Sequence, residues 1–164
     1  MITLNDVRGA SNPLRSYNYE FIIPTIPVAG NTDVMRMLVT SASIPGFSVD
    51  TFESNHFGFT LKHTGKGDYP RTVAITYEEN NDLTIYTTLR AWREILFNSI
   101  LGTQIEAKTV GILKLLDLNR KTISQITFAG LFLQSVSDVP LRGDTSSAVS
   151  ISATFSYDIH AMTP

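Results

Sequence analysis

The residue types best suited to metal binding or to proton transfer near neutral pH are the three histidines, His56, His63 and His160. Seven residues separate His56 from His63, which puts them on opposite faces of a regular strand. No His-Glu-x-x-His pair is present to place two ring nitrogens on one helix face. The histidines are therefore read as structural or surface residues, and no metal ligand is assigned. No serine stands in a Gly-x-Ser-x-Gly elbow. Gly65-Lys66-Gly67 has the composition of a phosphate loop but not its order, which requires Gly-x-x-x-x-Gly-Lys-Ser/Thr opening a helix. The adjacent carboxylates Glu78 and Glu79 precede a predicted helix, where negative charge favours the helix dipole. A glycosidase pair of carboxylates is assembled in space, and nothing in the sequence points to one. The absence of cysteine excludes disulfides, thiolate catalysis and cysteine-ligated zinc. The reading is of a protein that is not an enzyme, with no catalytic, cofactor-binding or metal-binding residue.

The composition sets bounds in the same direction. A chain of 164 residues suits one domain, 1–164, with a real core. Charged residues make up only 17%, below the roughly 25% of an average soluble chain, while serine and threonine contribute 15 and 19 residues. Small hydroxyl side chains suit strand faces and surfaces that other subunits cover; a β-rich monomer with polar strand faces reads equally well. The net charge of −2 and the lack of a Lys or Arg run argue against a protein that grips nucleic acid. They do not argue against one past which DNA slides. The N-terminus lacks a basic region followed by an apolar run, so no signal peptide is expected. No apolar stretch approaches the roughly 20 residues that span a bilayer, so no membrane partner is expected.

Strand periodicity dominates the elements. Tyr17, Tyr19, Phe21 and Ile23 alternate with Asn18, Glu20 and Ile22 until Pro24 and Pro27 end the ladder. Met35 to Ile44 reads as a second strand, broken by Pro45-Gly46. Between 47 and 70 a hairpin is expected, with strands of about 50–55 and 56–63 and a following turn at Gly65-Lys66-Gly67-Asp68. Its mixture of aromatics and charges suits projection onto a neighbour, or equally the cover of its own core. Val73, Ile75 and Tyr77 form the next strand. Behind Asp82, a good N-cap, Ile85, Leu89, Trp92 and Leu96 recur at spacings of four, three and four. That predicts an amphipathic helix over 83–98, ending near Gly102, with these four residues anchoring it to the core. Gly111–Leu118 and Thr122–Leu133 read as strands around a turn at Asn119-Arg120-Lys121, with a bulge near Ser124-Gln125. A polar loop, 135–147, precedes the last strand, where Val149, Ile151, Ala153, Phe155 and Tyr157 alternate with serine, threonine and Asp158. The sum is a mainly β fold: an antiparallel barrel or sandwich of about seven or eight strands with one flanking helix.

The order of these elements is informative. An aromatic strand leads to Ala42-Ser43-Ile44-Pro45-Gly46-Phe47, then to a long hairpin. Next comes the strand Tyr69-Pro70-Arg71-Thr72-Val73-Ala74-Ile75-Thr76-Tyr77, running through Glu78-Glu79-Asn80-Asn81-Asp82 into the Trp92 helix. A strand containing Gly130, a loop with Pro140 and the Val149–Asp158 strand close the chain. This resembles the tail tube proteins of contractile-tailed phages, a family shared with tailocins and contractile injection systems, over nearly the whole chain.

The resemblance implies a subunit that forms hexameric rings with copies of itself, stacked into a hollow tube inside a contractile sheath. It further implies a sheath protein, a baseplate tube initiator, a tail terminator and a tape measure protein as partners. DNA would pass through the lumen into the host without specific binding. The tube would lie in the virion tail after synthesis in the host bacterial cytoplasm. No cofactor is implied. On this reading the longest excursions from the core, 47–70 and 138–147, carry the contacts between subunits or rings. The residues expected there are Pro45, Gly46, Phe52, Phe57, Phe59, Asp68, Tyr69, Arg71, Arg142 and Asp144. Three alternatives share the sequence features in part: the tube of a tailocin, that of a type VI secretion or other injection system, and a carbohydrate-binding β-sandwich module. The last displays exposed aromatics, whereas the one Trp here falls on the apolar stripe of a helix.

Overall fold

The apolar members of each alternating segment converge on one core in a computed structural model that describes residues 14–98, 107–141, 143–144 and 146–164. Nine strands and two helices are described: β1 (Tyr19–Ile22), α1 (Thr32–Met37), β2 (Val39–Ala42), β3 (Ser48–His56), β4 (Phe59–Asp68), β5 (Thr72–Glu78), α2 (Thr84–Asn98), β6 (Thr109–Leu116), β7 (Thr122–Val136), β8 (Ser150–Ser156) and β9 (Ile159–Thr163). All pairings are antiparallel. The strand path runs β1-β6-β7-β8-β5-β2, with β9 on the free side of β7, while β3 and β4 form a separate ribbon. The path does not close into a barrel. The sheets are sandwich-like, and their inner faces meet around Phe21, Phe128, Phe155 and Tyr157.

β7 belongs to both sheets. Its first part pairs with β6 and β9, and Phe132–Val136 pairs with β8. The switch is made at Gly130, an extra residue between the Val110↔Ala129 and Thr109↔Leu131 pairs, with φ +69°. Such a bulge bends a strand and resets its phase: Ile126 and Phe128 are buried before it, Leu131 and Leu133 after it. Asp158, at the corner between β8 and β9, lies where a Gly130 side chain would go. Its N–H donates to the Ala129 carbonyl, and Lys108 Nζ donates to both of its carboxylate oxygens at 2.9 Å.

α2 covers the core from one side. Ile85, Leu89 and Trp92 are buried, Trp92 completely, and Leu96 is half-buried against them. The Trp92 ring lies 5.6 Å from Phe155, and its Nε1–H donates to the Ala107 carbonyl at 3.0 Å. The helix start differs from the expected Asp82 cap. Asn80 Oδ1 accepts from the Thr84 N–H, while Glu79 accepts from the N–H groups of Ile85 and Tyr86 at 3.1 and 2.7 Å. Leu83 takes a positive φ, which turns the chain so that these two earlier side chains reach the orphan donors. The expected end near Gly102 lies outside the described residues.

Other expectations are corrected. Met35–Ile44 is not one strand: Thr32–Met37 is helical, capped by Asn31, whose Oδ1 accepts from the N–H groups of Asp33 and Val34. The cap wins over the apparent alternation, and Met35 is buried while Met37 is exposed. Gly65–Asp68 is not a turn but the last part of β4. The bulge early in β7 falls at Ile123, between the Leu115↔Ser124 and Leu116↔Thr122 pairs. β9 was not expected at all. It has one strand partner and only His160 is part-buried along it, so it carries no apolar alternation to read.

Candidate assembly surface

The 47–70 segment supplies the longest feature with no core of its own. β3 and β4 pair from Ser48↔Asp68 to His56↔Phe59, leaving Phe57-Gly58 as a two-residue loop. Both loop residues have positive φ, +50° for Phe57 and +83° for Gly58. That is the backbone of the tight hairpin turn whose twist matches its strands, a turn that favours Asn-Gly. Phenylalanine pays a steric penalty there, because its Cβ crowds the backbone in the left-handed region. A bulge lies at Asp50 opposite Gly65 and Lys66. A side chain on Gly65 would come within 2.9 Å of the Asp50 carbonyl oxygen, so this glycine serves close strand approach.

Short local contacts stiffen the ribbon. Phe52 stacks on His63 at 5.0 Å, Ser54 Oγ hydrogen-bonds His63 Nε2 at 2.8 Å, Thr60 donates to Asn55, and Lys62 lies 3.6 Å from Glu53. Apart from each other, β3 and β4 make no substantial contact with any described strand or helix. Their apolar side chains accordingly face solvent: Phe57 is 102% exposed, Phe47 80% and Phe59 72%, with Val49, Phe52 and Leu61 also exposed. Scattered exposed apolar residues are ordinary, but a run of this kind marks an interaction surface.

The remaining expected contact residues are placed unevenly. Pro45 and Gly46 form the incoming leg between β2 and β3, with open space around Gly46. Asp68, Tyr69 and Arg71 form the outgoing leg, and Arg71 has φ +51°. Asp144 is exposed in the separate segment between β7 and β8, where Pro140, Leu141, Gly143 and Ala148 line a cavity of about 440 Å³. Arg142 lies outside the described residues. The structure thus gathers Phe52, Phe57 and Phe59 on one ribbon and Pro45, Gly46, Asp68, Tyr69 and Arg71 at its root.

Two features escaped the sequence. A second cleft of about 440 Å³ runs along β1, lined by Tyr17, Met37, Val39, Leu116, Leu118 and Arg120, with the Arg36–Glu20 ion pair inside it. It joins residues more than eighty positions apart, so no local pattern announces it. The other is the environment of His160, whose ring packs against Tyr69, Tyr157 and Phe128.

Among the described residues no three of His, Asp and Glu come together as a metal-binding group. The Tyr77 and Tyr157 hydroxyls are buried without a partner, and burial pushes both phenols up from their ordinary range. That keeps them neutral. No described helix is long and apolar enough to cross a membrane.

The sandwich with its flanking helix and separate β3–β4 ribbon is a fold shared with chains of solved structures. A chain of the extended sheath–tube complex of the extracellular contractile injection system PVC aligns with a TM-score of 0.66 at 16% identity, covering 99% of both chains. A chain of the sheath/tube terminator of that system aligns at 0.67 and 17% identity, covering 94% of this chain and 99% of the other. Hcp1 from Flavobacterium johnsoniae aligns at 0.52 and 13% identity, covering 89% and 94%. No curated protein sequence gives a significant match. The phage tail tube protein family model matches residues 15–163, and the chain belongs to that family.

Proposed function

We propose that this chain is the repeating subunit of a contractile-tail tube, and that the β3–β4 ribbon is the arm by which one copy grips another. The observation that carries this reading is Phe57: a fully exposed aromatic held at positive φ at the tip of a ribbon that makes no substantial contact with the other described strands and helices. Backbone strain of this kind persists where a site uses it. The free edges of β1 and β2 offer unpaired backbone groups that a neighbouring copy can satisfy. Contacts that close within a ring, together with axial contacts that do not close, generate a tube. Hexameric rings stacked in this way, a surrounding sheath, a baseplate initiator, a terminator and a tape measure protein complete the proposal. The particle is a phage tail, and DNA passes through the lumen.

The solvent face of β5 and β8 suits the lumen wall. It presents Thr72, Ala74, Thr76 and Glu78 beside Ser150, Ser152, Thr154 and Ser156, with no Lys or Arg among them. Thr76 Oγ1 and Ser152 Oγ lie 3.3 Å apart, and the Ser156 hydroxyl donates to the Arg71 carbonyl. Hydroxyls that bond to one another and to backbone carbonyls offer a passing polyanion no fixed cation.

Negative-stain electron microscopy of the purified chain over a concentration series tests the assembly. Rings or hollow tubes are expected, alone or after addition of baseplate components. Replacing Phe57 and Phe59 together with serine is expected to abolish them while leaving a cooperatively folded monomer. A chain that stays monomeric even with baseplate components overturns the reading. Normal tubes from the double variant overturn the role of the ribbon.

A further inference from the structure

We infer that His160 and Tyr69 form the clamp that aims the β3–β4 ribbon, making His160 a positioning residue for the assembly arm. The inference rests on the ribbon's role proposed above, but its geometry stands on the monomer alone.

The two legs of the ribbon are held very differently. The incoming leg is anchored only as far as Ser43, whose N–H donates to the Ala74 carbonyl and whose Oγ accepts from the Ala74 N–H. Beyond it Ile44 and Phe47 are exposed and Gly46 has open space around it. This leg can follow the ribbon but cannot fix its direction.

The outgoing leg is bolted in two places. The Arg71 carbonyl accepts from the Tyr157 N–H at 3.0 Å and from the Ser156 hydroxyl at 3.3 Å. One residue pair earlier, directly after the end of β4, the Tyr69 ring meets the His160 ring edge-on, with centroids 5.4 Å apart and planes at 75°. His160 is itself wedged: its ring meets Tyr157 at 5.5 Å and 89° and lies 6.5 Å from Phe128. Tyr157 and Phe128 are buried, with their rings tilted at 54° and centroids 5.0 Å apart. A line of four rings therefore runs from the core to the ribbon root, and both His160–tyrosine contacts take the edge-to-face geometry that aromatic pairs prefer.

Backbone bonds at Arg71 fix a point, and a point leaves rotation free. The Tyr69–His160 contact lies off that point, so the two together fix a direction. Tyr69 is itself half-exposed, so hydrophobic burial does not explain its place. β9, which would otherwise add only an exposed edge to β7, acquires a purpose: it delivers His160 to the root.

The native chain has no cysteine, so two introduced thiols can be spin-labelled without background. Label pairs at His56→Cys near the ribbon tip and Asn119→Cys in the turn between β6 and β7, both exposed, report the ribbon's direction in the monomer by electron–electron distance measurement. The parent pair is expected to give one narrow distance population. His160→Ala is expected to lose it, giving a broad distribution with a cooperative unfolding transition retained. His160→Phe, which keeps a ring edge, is expected to restore the narrow population. Should His160→Ala fail to fold, Tyr69→Ala reads the same contact from its exposed side and is expected to broaden the distribution likewise. A narrow, unshifted distribution in Tyr69→Ala, or in a folded His160→Ala, overturns the inference. These distances are read on monomers, so they stand apart from whether the parent chain makes tubes.

Discussion

At Gly130 a single missing Cβ decides how two sheets share a strand. The residue combines a φ of +69° with the Asp158 carboxylate in the space a side chain would fill. Alanine there meets both obstacles at once. The left-handed conformation costs roughly 1 kcal/mol or more in a non-glycine residue, and Asp158 must leave its bond with Lys108 to make room. That ion pair is largely exposed and adds little by itself. Gly130→Ala is therefore expected to destabilise the monomer by about 2–3 kcal/mol in denaturant unfolding, mostly from strain. A change within experimental error would mean that the bulge can relocate. Trp92 shows the opposite kind of constraint. Its indole fills the space between α2 and Phe155 and bonds Ala107 across the chain, so its place is set by volume and by one donor.

Elements differ in what holds them. β5 and β8 alternate buried apolar with exposed hydroxyl residues and pair over their full lengths, so burial alone specifies their register. The β3–β4 ribbon buries nothing, and its register depends on the turn and the bulge. The turn therefore sets stability and contact against each other. Phe57→Asn relieves the left-handed strain, because asparagine tolerates that region and favours this turn. It also removes the exposed ring. The variant is expected to be as stable as the parent or more so, by up to about 1 kcal/mol, and yet to assemble poorly in light scattering. Loss of stability would show that Phe57 packs on its own chain. Full assembly would show that the tip does not touch a neighbour.

For the whole molecule the polar face of β5 and β8 matters most. If it lines the lumen, assembled tubes should release DNA as readily at low salt as at high salt. Ser152→Lys would place six cations around each ring if the ring is a hexamer, and counterion exchange would then make retention fall steeply with salt. A salt-independent Ser152→Lys tube would place this face away from the channel.

The sequence by itself determined the antiparallel β class, the buried stripe of α2 and the alternation in β5 and β8. These follow from local periodicity, because the same residues that set the period also meet the core. It also marked 47–70 as a hairpin mixing aromatics and charges, equally suited to projecting onto a neighbour or to covering its own core. It misread Met35–Met37 because Asn31 satisfies two helix-end donors, a local bond that overrides a weak alternation. It ended the second ribbon strand too early, at a turn over Gly65–Asp68, because Gly65 and Gly67 look like turn residues, whereas the strand runs on through them to Asp68. Only the tertiary structure decided where β9 pairs, which residues line the cleft along β1 and how the ribbon root is held. Each depends on groups far apart in the chain: Tyr69 and His160 come together across ninety residues, and Lys108 meets Asp158 across fifty. Contacts of that separation leave no periodic trace, because their energy comes from rings and charges brought together only once the sheets have packed.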